Sequence, residues 1–264
     1  MADLKKKLKE AQGGNLKGMM LEQKLASLFY VKRDPKEESR FLRMLLEREG
    51  ENQERVGLHA SAMLASDNEF CLRQQVLSLL YKQIQNENIP AGLARVFEEG
   101  NCIHQKWQRL FIAAGLGKPE DMDRHRFVKK YELSYTPDAR IHIFGEDVLV
   151  EIKSMNTYAF QKAKGHPSGE KQLNFYLCLE NLPWGFVLAE DKNTQEFKVF
   201  IVKQDREAAK HYLKRLVKIK EAKEAFLSEK KMPARKCSSC NCKQAEKCNM
   251  KDACFNIGIG RIKL

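Results

Sequence analysis

The octapeptide DVLVEIKS, residues 147–154, constrains the fold more than any other stretch of this chain. Val148, Val150 and Ile152 alternate with Leu149, Glu151 and Lys153, which is the period of a β-strand. On such a strand Glu151 and Lys153 point to the same side. Thirteen residues before Glu151 stands Asp138, in SYTPDARIHI, which reads as a neighbouring strand. Two carboxylates and a lysine brought to one point suit metal-assisted hydrolysis of a phosphodiester. The carboxylates hold a divalent cation, and the lysine helps deliver the attacking hydroxide or stabilise the charged phosphorane. A Glu-X-Lys pair on a strand also forms an ordinary surface ion pair, so the strand alone leaves both readings open.

Its neighbours add to it. In FEEGNCIHQKWQRLF, Ile103, Trp107, Leu110 and Phe111 recur at helical spacing, so an amphipathic helix is expected there with His104 beside its apolar face. A lone histidine at that place is commonly a core-edge residue. Downstream, in GEKQLNFYLCLENL, Gln172 and Tyr176 lie four apart and share a helix face.

A histidine on a helix, Pro-Asp, Glu-X-Lys on a strand and Gln-X-X-X-Tyr on the next helix, in that order, resemble the RecB-like branch of the PD-(D/E)XK nuclease superfamily over roughly His104 to Val202. The resemblance implies an α/β, restriction-endonuclease-like core, a central mixed sheet flanked by helices. It implies Mg2+ or Mn2+ held by His104, Asp138, Glu151 and the Ile152 carbonyl, with Lys153 as catalytic base or charge stabiliser. Gln172 and Tyr176 would support the lysine or the DNA strand. The sequence departs from the family in carrying SYTP before the aspartate, where relatives usually have a glycine two or three residues earlier.

The cysteines form a second signal. Of 8 in the chain, five lie between Cys237 and Cys254, in KCSSCNCKQAEKCNMKDACF. The chain opens on charged residues without a secretory pattern and has no long apolar run, so a cytoplasmic protein with reduced thiols and no membrane span is expected. Dense cysteines there read as a metal site, with zinc the generic occupant. Some RecB-like nucleases, the AddB nuclease domain and CRISPR-associated exonucleases among them, instead hold a 4Fe–4S cluster on one cysteine before the histidine helix and three after the core. By that resemblance Cys71, with Arg73 two residues on, is the first ligand. Cys237, Cys240 and Cys248 are the expected others, with Cys254 the main substitute. A zinc site wholly within Cys237–Cys254 is the alternative. Cys102 and Cys178 sit in apolar helical stretches and read as core residues.

The net charge of +12 suits a polyanionic partner. Residues 203–236 hold 12 Lys or Arg against 5 Asp or Glu, on a helix with one apolar and one basic face; Lys214, Arg215 and Lys218 are its candidate DNA contacts. The layout expected is a helical N-terminal extension over 1–58, a nuclease domain over 59–236 and a cysteine-rich segment over 237–264 joined to Cys71. Within it, 126–153 form two or three strands, 158–170 a mobile loop beside the active strand, and WGFVLAEDKNTQEFKVFIV a hairpin. The resulting expectation is a metal-dependent DNA nuclease acting on single strands or free ends in recombination, repair, or phage or CRISPR DNA processing. A helicase or other protein partner stays open. The alternative is a non-catalytic nucleic-acid-binding protein with a zinc knuckle.

Overall fold

The computed structural model describes residues 57–81 and 91–255, the side chains of 91–97 excepted, together with Gly18, Met20, Leu21 and Gln23. The chain divides into two units, Met1–Arg55 and Val56–Leu264. The expected N-terminal extension lies almost wholly outside the described residues, as does the segment after Phe255. The sheets and their covering helices belong to the second unit.

The central sheet of that unit has the order β4-β5-β6-β7, made of Ala139–Ile143 (β4), Glu146–Met155 (β5), Trp184–Asp191 (β6) and Phe197–Lys203 (β7). The β4–β5 and β6–β7 pairs are antiparallel and β5–β6 is parallel. The first hairpin turns through Phe144 and Gly145, both at positive φ (57° and 77°), as a two-residue turn that keeps the strand twist requires. A smaller sheet joins Leu58–His59 (β1), Leu133–Tyr135 (β3) and Arg126–Val128 (β2), in the order β1-β3-β2. Residues 126–153 therefore hold four strands, where two or three are expected from sequence. The additional break falls at Thr136–Asp138, between β3 and β4.

Helices cover the sheet. Ala60–Met63 (α1) and Leu72–Leu80 (α2) precede Ala91–Ala113 (α3), which packs on β5. Val148, Val150 and Ile152 are fully buried on one face of β5. The parallel crossover from β5 to β6 runs through Thr157–Lys162 (α4) and Pro167–Glu180 (α5). The expected mobile loop over 158–170 is thus mostly helix. Asn156 Oδ1 accepts from Ala159 N at 2.8 Å to start α4. Pro167 opens α5, and His166 Nδ1 accepts from Gly169 N at 3.1 Å. The expected α/β arrangement, a mixed sheet flanked by helices, is present.

All eight residues of β6 are buried. Its two carboxylates are fully partnered inside. Glu190 accepts from Lys106 Nζ (2.5 Å) and Trp107 Nε1 (2.6 Å), and Asp191 from Thr157, Thr194 and the Asn193 N–H.

The basic helix expected after β7 is Arg206–Glu229 (α6). Lys214 and Lys218 are exposed, but Arg215 is buried. Its guanidinium donates to Met63 O and Ala65 O at 2.6 Å each and to Asp67 Oδ1 at 2.6 Å, tying the α1–α2 turn to α6. Arg215 is therefore a structural cross-link rather than a DNA contact. Cys102 is exposed and Cys178 half-buried, so neither is the core residue its apolar surroundings suggest. Two short helices, Lys243–Glu246 (α7) and Lys251–Phe255 (α8), shape the cysteine segment. Among the described residues no helix is long and apolar enough to cross a membrane.

Gly185 tests the packing of α5 over the sheet. A Cβ there would overlap the Leu149 carbonyl oxygen and press on Leu173. Gly185→Ala is expected to lower stability by about 1–3 kcal/mol, as overpacked sites do; a chemical-denaturation midpoint equal to that of the wild type would contradict the register.

Candidate active site

The site forms where β4 and β5 part. Their last ladder pair on this side is Ala139 opposite Val150. Two residues further, the same register would set Pro137 opposite Ile152, and proline has no N–H to give. The ladder stops, and the free Ile152 N–H donates to Asp138 Oδ2 at 2.6 Å. The Ile152 carbonyl points to the same side as its N–H and receives no ladder bond from proline. Asp138 is clamped from behind as well. Its own carbonyl accepts from Gln108 Nε2 at 2.8 Å and from Asp123 N at 3.2 Å. His104 Nδ1 lies 3.3 Å from Asp138 Oδ1.

Glu151 is on the opposite face of β5 from Ile152 and is wholly buried. Its Oε1 accepts from Lys153 Nζ at 2.5 Å, whereas Oε2 is buried and has no hydrogen-bond partner among the described residues. Burial, and then the charge of Asp138, raise the Glu151 carboxyl to about 8. Burial opposes charge on Lys153 too, but Glu151 and Asp138 outweigh it and raise the ammonium above its ordinary range. His104 behaves alike: burial lowers it, the bond and charge of Asp138 raise it, and the net direction is up. Asp123 adds negative charge to both Glu151 and His104.

Lys153 reaches only one oxygen of Glu151, and the other is left without a counter-charge or donor among the described residues. A carboxylate raised by burial and a second carboxylate, with one oxygen unpartnered, is the condition a divalent cation reverses. The donors fit: hard oxygens of Asp138 and Glu151, the Ile152 carbonyl and a neutral imidazole suit Mg2+ or Mn2+. As the side chains stand, no three His, Cys, Asp or Glu groups among the described residues are arranged around one ion; Lys153 and His104 lie against the carboxylate oxygens instead.

Gln172 and Tyr176 share the inner face of α5, and Gln172 Nε2 donates to Tyr176 Oη at 3.1 Å. Tyr176 is buried against Tyr135, ring centroids 5.1 Å apart. Burial and the Glu151 charge push its hydroxyl upward. Three residues not singled out from sequence belong here. Gln108 stands one helical turn after His104, a spacing the sequence does display. His166 is held below its ordinary value by burial and by the charge of Lys153. Asp123 reaches the site through an isolated bridge of Met122 to Ala139, which no local pattern announces.

The cysteines gather elsewhere in the unit. A cavity of about 530 Å³ is lined by Cys71, Cys237, Cys248 and Cys254. Arg73 binds the Pro233 and Cys254 carbonyls, and Gln74 binds Asn249, so α2 and the cysteine segment are joined. Three of the residues expected as ligands, Cys71, Cys237 and Cys248, line this cavity together with Cys254; Cys240 does not. Cys242 caps α7, accepting from Ala245 N. Burial, reinforced by Cys242, raises the Cys237 thiol to about 11.

The raised Glu151 carboxyl sets a pH dependence. Its folded value lies above its ordinary 4.5, so the stability held by the protonated form is complete below about 4.5 and is lost as pH rises towards about 8. Metal-free protein is expected to melt at progressively lower temperature between pH 5 and 8. Glu151→Gln, or saturating Mn2+, should flatten that slope; an equally steep slope in Glu151→Gln would contradict the assignment.

No protein-family model matches the sequence, and no curated protein does. Solved structures match in outline. The alkaline exonuclease LHK-Exo from Laribacter hongkongensis aligns over 66% of this chain and 92% of its own at 16% identity, TM-score 0.45. A complex of LHK-Exo with dAMP aligns at 18% identity, TM-score 0.47, with the same shares of each chain, 66% and 92%. A phage-related exonuclease from Haemophilus somnus 129PT aligns over 67% of this chain and 97% of its own at 13% identity, TM-score 0.46.

Proposed function

We propose that this chain is a metal-dependent deoxyribonuclease of the RecB-like PD-(D/E)XK kind, acting on single-stranded DNA or free ends in recombination, repair or related DNA processing. The observation that carries the reading is the pairing of Asp138, locked to the Ile152 N–H, with the buried and half-unpartnered Glu151 beside Lys153. Asp138, Glu151, the Ile152 carbonyl and His104 would hold Mg2+ or Mn2+. Such an ion polarises a phosphate and makes water acidic enough to attack.

The protein's own groups do the rest. Lys153, whose ammonium pairs with Glu151, would donate to the attacking water and offset charge gathering on the phosphate oxygens. Asp138 keeps a fixed position because backbone and Gln108 bonds hold it on two sides. Tyr176, held by Gln172 and buried within reach of the Glu151 charge, would close the site on the α5 side. The exposed lysines of α6, Lys214 and Lys218 among them, supply sequence-independent attraction for phosphates.

We further propose that Cys71, Cys237, Cys248 and Cys254 hold a 4Fe–4S cluster. It would close a loop from α2 to the end of the chain and so brace the unit.

Two experiments test these readings. On end-labelled single-stranded DNA, Lys153→Ala and Asp138→Asn should cut at least about a hundredfold more slowly than wild type, with DNA affinity retained. Asparagine keeps an acceptor for the Ile152 N–H, so loss cannot be blamed on the fold; undiminished cleavage by Lys153→Ala would sink the assignment. For the cluster, anaerobically purified protein should be brown with about four irons per chain. Cys254→Ser should lose iron and Cys240→Ser keep it; colourless protein with one zinc would replace the cluster with a zinc knuckle.

A further inference from the structure

Tyr158 exposes 70% of its surface, although the short helix that carries it is firmly held. Asn156 caps the start of α4. Lys198 Nζ binds its last carbonyls, Phe160 O at 2.6 Å and Gln161 O and Ala163 O at 3.4 Å each. Phe160 is buried beneath, 4.6 Å from the same ammonium. An aromatic ring displayed on a rigid base, without burial of its own, needs an account.

Its place relative to Lys153 supplies one. The chain leaves Lys153, builds α4 and returns at Gly169, where a Cβ would stand 3.4 Å from the Lys153 side chain. Lys153 pairs with Ala189 on β6, and Ala189 with Lys198 on β7. Lys153 and Lys198 therefore lie in one row across the sheet, about 10 Å apart at two strand spacings, and Lys198 is what anchors α4. The helix α4 thus lies on the same face of the sheet as Lys153 and Glu151, with Tyr158 on its exposed side. Lys162 Nζ donates to the Tyr158 hydroxyl at 2.5 Å and lies 3.8 Å from the ring centroid, at the hydroxyl end of the ring. Lys162 and Lys164 make the surroundings basic.

We propose that Tyr158 is a stacking platform for a nucleobase of single-stranded DNA, placed beside the phosphodiester that enters the Asp138–Glu151–Lys153 site. This rests on the nuclease reading and adds to it how the strand is oriented. Stacking is tolerant of base identity because every base has a π-face, and the Lys162 bond to the hydroxyl steadies the ring. The contact positions DNA without touching the reacting atoms, so it acts on binding rather than on the chemical step.

The test uses the full chain and single-stranded oligonucleotides carrying 2-aminopurine at successive positions. Wild type should quench the fluorescence at one position, and Tyr158→Ala should abolish that quench. The same substitution should raise KM for cleavage about tenfold with kcat within about twofold, while Tyr158→Phe stays near wild type. The melting temperature should not move, since the side chain is exposed. Cleavage by wild type together with an unchanged KM and quench in Tyr158→Ala would overturn the platform and leave the nuclease standing. Equal losses in Tyr158→Phe would overturn stacking in favour of a hydroxyl contact. Wild type that neither binds nor cuts single strands would overturn the nuclease reading and the platform with it.

Discussion

The hydrogen bond from the Ile152 N–H to the Asp138 carboxylate is the point on which the rest of this structure depends. It exists because a proline interrupts the ladder between β4 and β5, and a bond to a charged acceptor is worth roughly 1.5–3 kcal/mol where it is shielded. It fixes a carboxylate at a sheet edge, leaves a backbone carbonyl facing it, and sets Glu151 and Lys153 one residue to either side. The Pro-Asp step and the Glu-X-Lys strand are thus two halves of one geometric device.

The layers around it serve that device. On one face α3 brings His104 to the Asp138 carboxylate and Gln108 to its carbonyl. On the other, α5 closes over Glu151 with Tyr176, and its close approach depends on Gly185 beneath it. The cost of burying Glu151 is visible in its raised carboxyl. Contrast Glu190 on the next strand, equally buried but fully partnered by Lys106 and Trp107. Two buried carboxylates on adjacent strands thus differ in kind, one satisfied by neighbours and one with an oxygen left unpartnered among the described residues.

How much of this is legible in the sequence depends on the range of the forces involved. The alternation in DVLVEIKS is local, and β5 takes the face assignment it predicts. The histidine helix, the Gln172–Tyr176 pair and the β6–β7 hairpin are likewise set by short-range pattern. Segment 158–170 is not: TYAFQK is a helix only because Asn156 caps it and Lys198, from a later strand, binds its end. Arg215 carries every mark of a solvated basic face, yet carbonyls of the α1–α2 turn bury it. Asp123 reaches the site by an isolated bridge. Among five closely spaced cysteines, the chain path through α7 and α8 decides that Cys254 reaches the cavity and Cys240 does not. Spacing alone carries no such information.

The central claim is that Asp138 and Glu151 form the two sides of a divalent-cation site. Electron paramagnetic resonance of Mn2+ titrated into the protein at neutral pH tests it most directly, without reference to DNA or turnover. The account predicts one bound Mn2+ per chain, displaced by Mg2+, with affinity at least about tenfold weaker in Glu151→Gln and in Asp138→Asn. Mn2+ bound equally well by both variants, or not bound by the wild type at all, would contradict it.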